Sequence, residues 1–103
     1  MAFLLLLVML SAPPQTAHSV SLSWNPVTTY ASGVPIAEPV LYNVFRAENK
    51  SRDFQRINSA HVKGTSYTDD TVQAGNTYHY KVKSWTATQG GSAYSNGVSA
   101  FVP

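Results

Sequence analysis

The run Val72-Gln73-Ala74-Gly75-Asn76-Thr77-Tyr78-His79-Tyr80-Lys81-Val82-Lys83 decides the fold. A small apolar residue and a glycine make a corner, and Gly75 accepts a positive φ there without steric cost. Strict alternation follows, with Tyr78, Tyr80 and Val82 on one face and His79, Lys81 and Lys83 on the other. A period of two with a single apolar face describes a strand buried on one side. Tyr78 opens that strand, so its ring enters the core while its hydroxyl reaches back to the backbone of the corner. This is the tyrosine corner of Greek-key sandwiches.

Outward from this run, the same pattern recurs in short pieces. Residues 19–24 alternate cleanly, with Val20, Leu22 and Trp24 on one face, and Asn25-Pro26 ends them. Residues 27–39 hold Pro35, Pro39 and Gly33, which forbid regular structure through most of the segment. Residues 40–47 form a second strong strand, with Tyr42 and Val44 facing in and Asn43 and Phe45 facing out. After the charged turn at residues 48–53, weaker strands are expected at 54–57, 60–62 and 65–68, the last closed by Asp69-Asp70. The corner strand runs to Trp85, residues 86–92 with Gly90-Gly91 read as a flexible connection, and Val98, Ala100 and Val102 alternate once more. About seven short strands with turn signals between them, and no helical period beyond the N-terminal run, predict an all-β, two-sheet antiparallel Greek-key sandwich. Leu22, Trp24, Tyr42, Val44, Tyr78, Tyr80 and Val82 are its expected core.

A chain of 103 residues is one domain with a small core. With 44% apolar and 12% charged residues it folds rather than stays disordered. A net charge of +2 from seven scattered basic residues points to a solvated surface and away from nucleic acid. The absence of cysteine excludes a disulfide framework, a thiol nucleophile and a Cys-type zinc site.

Residues 2–10 are an unbroken apolar run, too short for a bilayer span, which needs ~20 residues. The run fits the hydrophobic region of a secretory signal, with Ala17 as a cleavage position, although no Lys or Arg precedes it and Gln15 stands where a small residue is preferred. The segments are therefore residues 1–17, a signal peptide or an apolar segment retained on the domain, and residues 18–103, the domain itself. The first reading places the protein outside the cell or on its surface.

The pieces Leu22-Ser23-Trp24, Tyr42-Asn43-Val44-Phe45-Arg46, Tyr67-Thr68-Asp69, the corner run and Ser92-Ala93-Tyr94-Ser95-Asn96 follow one another in an order and spacing that resembles the fibronectin type III family. The wording Gly64-Thr65-Ser66-Tyr67-Thr68-Asp69 and Ala93-Tyr94-Ser95-Asn96 is similar to the version in exported bacterial proteins. The resemblance implies an immunoglobulin-like fold and a non-enzymatic module. Two departures stand out: no first strand is evident between residues 17 and 19, and the connection from Trp24 to Tyr42 is long. A missing first strand would leave a sheet edge open for self-association.

Catalytic chemistry has no foothold in the motifs. His18, His61 and His79 lack partners at metal spacing, Asp69-Asp70 has no third acidic neighbour for calcium, and no Gly-x-Ser-x-Gly elbow or phosphate loop exists. No catalytic residue, metal or cofactor is expected. Asn49-Lys50-Ser51 is a chance sequon on a turn. No Arg-Gly-Asp tripeptide is present, so integrin binding has no support.

Candidate contacts lie on two surfaces. Phe45, His79, Lys81, Lys83 and Trp85 should face outward on one sheet, as a binding platform or as a patch in which lysine stems cover the rings. Loops at residues 28–39, 63–65 and 86–92 should gather at one end of the sandwich, with Tyr30 and Gln89 the first to test. The leading functional expectation is a secreted interaction, adhesion or spacer module with a protein partner. The alternative is an accessory module of an exported carbohydrate-active enzyme, with the aromatic face on a glycan.

Overall fold

The computed structural model describes residues 8–11 and 18–103. Among these residues, eight strand segments form two antiparallel sheets. One sheet has the order β1 (Val8–Ser11), β2 (Val20–Trp24), β5 (Ser66–Asp69). The other places β4 (Gln55–Arg56) beside β3 (Leu41–Glu48), and β3 beside β6 (Thr77–Thr86). Along the far side of β6, β7 (Gly90–Gly91) and β8 (Val98–Phe101) follow end to end. These two share one strand position, so the sandwich has seven.

β1 arises inside the apolar run, where no strand was evident by pattern. Its pairing runs from Val8 opposite Trp24 to Ser11 opposite Ser21. With these residues in place β2 is paired on both sides, by β1 and β5. The rest of the expected leader, residues 1–7 and 12–17, lies outside the described residues.

Between the sheets, Leu22, Trp24, Tyr42, Val44, Tyr78, Tyr80 and Val82 are each at most 4% exposed, joined by Val20, Val72, Ala100 and Val102. Trp24 and Tyr42 pack across the layers as tilted rings with centroids 5.4 Å apart. The corner forms around Gly75, at φ 85°, and Tyr78 Oη accepts the Gln73 N–H at 2.8 Å. Gly75 N–H donates to Val102 and Val102 N–H to Asn76, which fastens the end of the chain to the corner.

Asp69 is more than a strand end. It is 2% exposed; its Oδ2 accepts from Tyr80 Oη at 2.7 Å and Arg46 Nη1 at 2.9 Å, and its Oδ1 from the Thr71 amide and hydroxyl. Arg46 shares the inward face with Tyr42 and Val44, which is why it reaches across to the other sheet. Burial opposes ionisation of Asp69, but the bonds from Thr71, Arg46 and Tyr80 outweigh it and hold the carboxyl below its usual range. Burial and the same carboxylate push the Tyr80 phenol far upward.

Three local expectations are corrected. Asn43 faces away from the interlayer core yet is buried, because Asn58 and His61 bond to its Oδ1 at 2.9 and 3.0 Å. Residues 60–62 do not form a strand; only Val62 bridges to Tyr42, because Asn58 Oδ1 takes the Val44 N–H at 2.7 Å in place of a backbone carbonyl. Gly90-Gly91 is not a loose connection but pairs with Thr86 and Trp85 in a tight hairpin, with Gly90 at φ 70°.

Trp24→Ala is expected to cost about 3–5 kcal/mol in chemical denaturation. Tyr78→Phe, which removes only the corner bond, should cost about 1 kcal/mol. Asp69→Asn should cost about 3 kcal/mol at neutral pH. Because the folded carboxyl is held low, that advantage is complete above the ordinary aspartate pKa and vanishes as pH falls through the folded value. Melting curves against pH should therefore show wild type and variant converging on the acid side only.

Candidate functional site

β6 sets the outer face. Its odd positions, Thr77, His79, Lys81, Lys83 and Trp85, are half-buried, while its even positions are buried. Register places Phe45 opposite Lys81, Asn43 opposite Lys83 and Leu41 opposite Trp85. Phe45 meets Tyr94 edge-on at 5.2 Å, and Phe54 lies 6.0 Å from Tyr94. The lysines cover these rings. Lys81 Nζ lies 4.7 Å from the Phe54 centroid and 5.3 Å from that of Tyr94, and Lys83 Nζ lies 4.3 Å from Tyr94 and 5.3 Å from Phe45. Phe45, Lys81 and Lys83 thus come together, with Phe54 and Tyr94 as members that alternation along the main strands did not reveal.

Trp85 stands further along the sheet and stacks on His61 at 4.2 Å, with ring planes 16° apart. One face of its indole is therefore already occupied. His79 donates from Nε2 to the Asn49 carbonyl at 2.6 Å, and its Nδ1 is hydrogen-bonded with the Ser99 hydroxyl at 2.6 Å. This pair orients the imidazole against a backbone carbonyl and carries no carboxylate, so it is not arranged as a triad. Beside it, the turn at residues 49–53, Phe54, Tyr94 and the start of β8 enclose an open depression of about 860 Å³. The turn is fixed by Asn49, at φ 52°, whose Oδ1 accepts the Thr77 N–H at 3.0 Å.

Tyr30 and Gln89 belong to the other surface, at the opposite end of β6. The long connection folds on itself: Thr29 bridges Pro35, and Val34 is 55% exposed near its tip. Glu38 then ties this connection to the β6–β7 turn. Its carboxylate accepts from the Tyr30 hydroxyl at 3.0 Å and from the Thr88 amide at 3.1 Å, and also from the Thr88 hydroxyl. Hydrogen bonds from Thr88, assisted by Tyr30, lower the Glu38 pKa against the opposing effect of desolvation. Desolvation and the Glu38 bond raise that of Tyr30. Gln89 contributes its amide to Thr86 Oγ1 at 3.1 Å. Glu38 has no periodic or motif signal in the sequence.

Two further supports follow the same logic. Between β7 and β8 the Ser95 hydroxyl accepts the Val82 N–H and the Ser92 hydroxyl the Ser84 N–H, both at 2.9 Å. They carry β6's pairing past a break in its neighbour and hold Tyr94 over the face.

Two antiparallel sheets in this strand order, a tryptophan on β2, a tyrosine corner before β6 and no disulfide settle the architecture. The fold is that of a fibronectin type III domain. The chain is similar to the solved fibronectin type III domain of human fibronectin type III domain containing protein 3, with TM-score 0.72 and 21% identity, over 100% of this chain and 89% of that one. It is also similar to pectate lyase PelI from Erwinia chrysanthemi, solved with tetragalacturonic acid, with TM-score 0.65 and 21% identity, over 92% of this chain and 28% of that one. Among curated proteins it is 37% identical over 91 residues to a poly(3-hydroxybutyrate) depolymerase of Ralstonia pickettii, covering 88% of this chain. The chain spans 15% of that depolymerase's length. No protein-family model matches it.

Glu38→Gln is expected to speed hydrogen exchange at the Thr88 amide while leaving the melting temperature nearly unchanged, since the clasp is at the surface. In the wild type the same loosening should appear only as pH falls through the lowered Glu38 value.

Proposed function

We propose that the chain is a non-catalytic accessory module of a larger, exported, polymer-degrading enzyme. The observation that carries this reading is the 37% identity over 91 residues to a segment amounting to 15% of a poly(3-hydroxybutyrate) depolymerase. The similarity to part of a pectate lyase supports the same class of context. Both findings favour the accessory reading over a free-standing interaction or adhesion module. The apolar run at residues 2–10 supports export. In this role the sandwich holds its neighbours at a fixed separation, and its face and end loops are available for contact.

Antibody against residues 18–103 provides the test. In culture fluid of the organism that carries the gene, it should detect a polypeptide well above 11.2 kDa whose purified form degrades a polymer. Detection only of a species of 11.2 kDa or less, or only inside cells, would overturn the proposal.

A further inference from the structure

We infer that the outer face of the five-stranded sheet binds an acidic polysaccharide, in the depression beside Phe54 and Tyr94. The inference concerns the isolated domain and does not depend on its being part of an enzyme.

Charge is segregated far beyond what a net +2 implies. Of the seven basic residues, Arg46 is the one turned inward and ion-paired, to Asp69 and Glu48. Lys50, Arg52 and Lys81 line the depression, and Lys83 lies over the rings that border it. Arg56 is opposite Phe45 on the same face, and Lys63 is the one that lies elsewhere, in the connection before β5. Of the five acids, Glu38 is bound in the loop clasp, and Asp69 and Glu48 are on Arg46. Asp70 follows β5 on the other sheet. Asp53 alone shares the depression. Such a field draws anions.

The form of the site selects among anions. Lys81 and Lys83 are held over aromatic rings, so their ammonium groups are placed in advance for carboxylates. Asn49, Ser51 and Ser99 also line the depression, their side chains held in place by bonds to Thr77 and Asn76, to the Asp53 amide and to His79. The volume is within the ~300–1,000 Å³ of small-ligand sites, and the site is concave, unlike a flat protein interface. Asp53, whose Oδ1 already accepts from Gln55 Nε2 at 2.8 Å, decides the point through its other oxygen. A purely acidic peptide offers it repulsion, whereas a uronate-bearing sugar offers it hydroxyl donors while the lysines take the carboxylates.

Calorimetric titration of the chain with oligogalacturonate is the test. Saturable binding is expected at low salt, weakening as salt rises. Lys81→Gln and Lys83→Gln should each lower affinity about tenfold, with melting curves confirming that both variants fold. Asp53→Asn should weaken binding too, where a site for polyanions in general would bind more tightly. No binding, undiminished binding by both lysine variants, or equal binding of a neutral maltooligosaccharide would overturn the inference. So would poly-glutamate binding as tight as that of oligogalacturonate, which would reassign the face to acidic protein.

Discussion

Three of the four aromatic rings at the centre of this sandwich are tyrosines, and each brings a hydroxyl that cannot be left without a partner in the core. Each hydroxyl reaches the periphery and fastens a different connection. Tyr42 Oη accepts the Val27 N–H at 2.9 Å, where the chain leaves β2. Tyr78 Oη holds Gln73 at the corner, and Tyr80 Oη donates to Asp69 at the end of β5. Packing and loop geometry are therefore one requirement. Replacing a tyrosine alters both the filling of the interlayer space and the path of a connection, in a domain that has no disulfide to hold the loops instead.

A second constraint is that β3 and β6 must keep their backbone groups paired although their neighbours are short or broken. Side chains complete the ladders. Asn58 serves β3 where β4 ends, and Ser92 and Ser95 serve β6 between β7 and β8. A buried N–H without an acceptor costs on the order of 1–3 kcal/mol, so these polar residues are as structural as the valines. Because they let the neighbouring strand depart from regular pairing, they also free Tyr94 to turn toward Phe45 and Phe54.

This explains which parts of the molecule were legible in its residues. Alternation exposes β2, β3 and β6 because a buried face and a solvated face repeat every two positions, and the Gly75–Tyr78 spacing exposes the corner. Asn58, Ser92 and Ser95 have no period, since a side chain that substitutes for a backbone acceptor is needed only where regularity fails. Asp69 reads as a turn residue because its partners, Arg46 and Tyr80, are 23 and 11 positions away. β1 was obscured for the opposite reason: nine apolar residues in a row carry no alternation at all. On the site, Phe45, Lys81 and Lys83 were visible from strand parity, but Phe54 and Tyr94 come from a two-residue strand's approach and from a break, where parity has no meaning.

The position of Trp85 shows why exposure of an aromatic residue by parity is not enough to make it a platform. Its indole is directed outward, yet His61, brought near by the Val62 bridge to Tyr42 and bonded to Asn43, lies flat against it. The ring that would have stacked on a ligand instead closes the sheet over a buried asparagine. Further along β6, Lys81 and Lys83 have no such cover above them, and their charges meet no carboxylate partner among the described residues. One strand thus carries a closed end and an open, cationic end. The difference lies in what β3 carries: Asn43, diagonal to Trp85, holds His61 through its amide oxygen, whereas Phe45, opposite Lys81, offers only a ring for a lysine to cross.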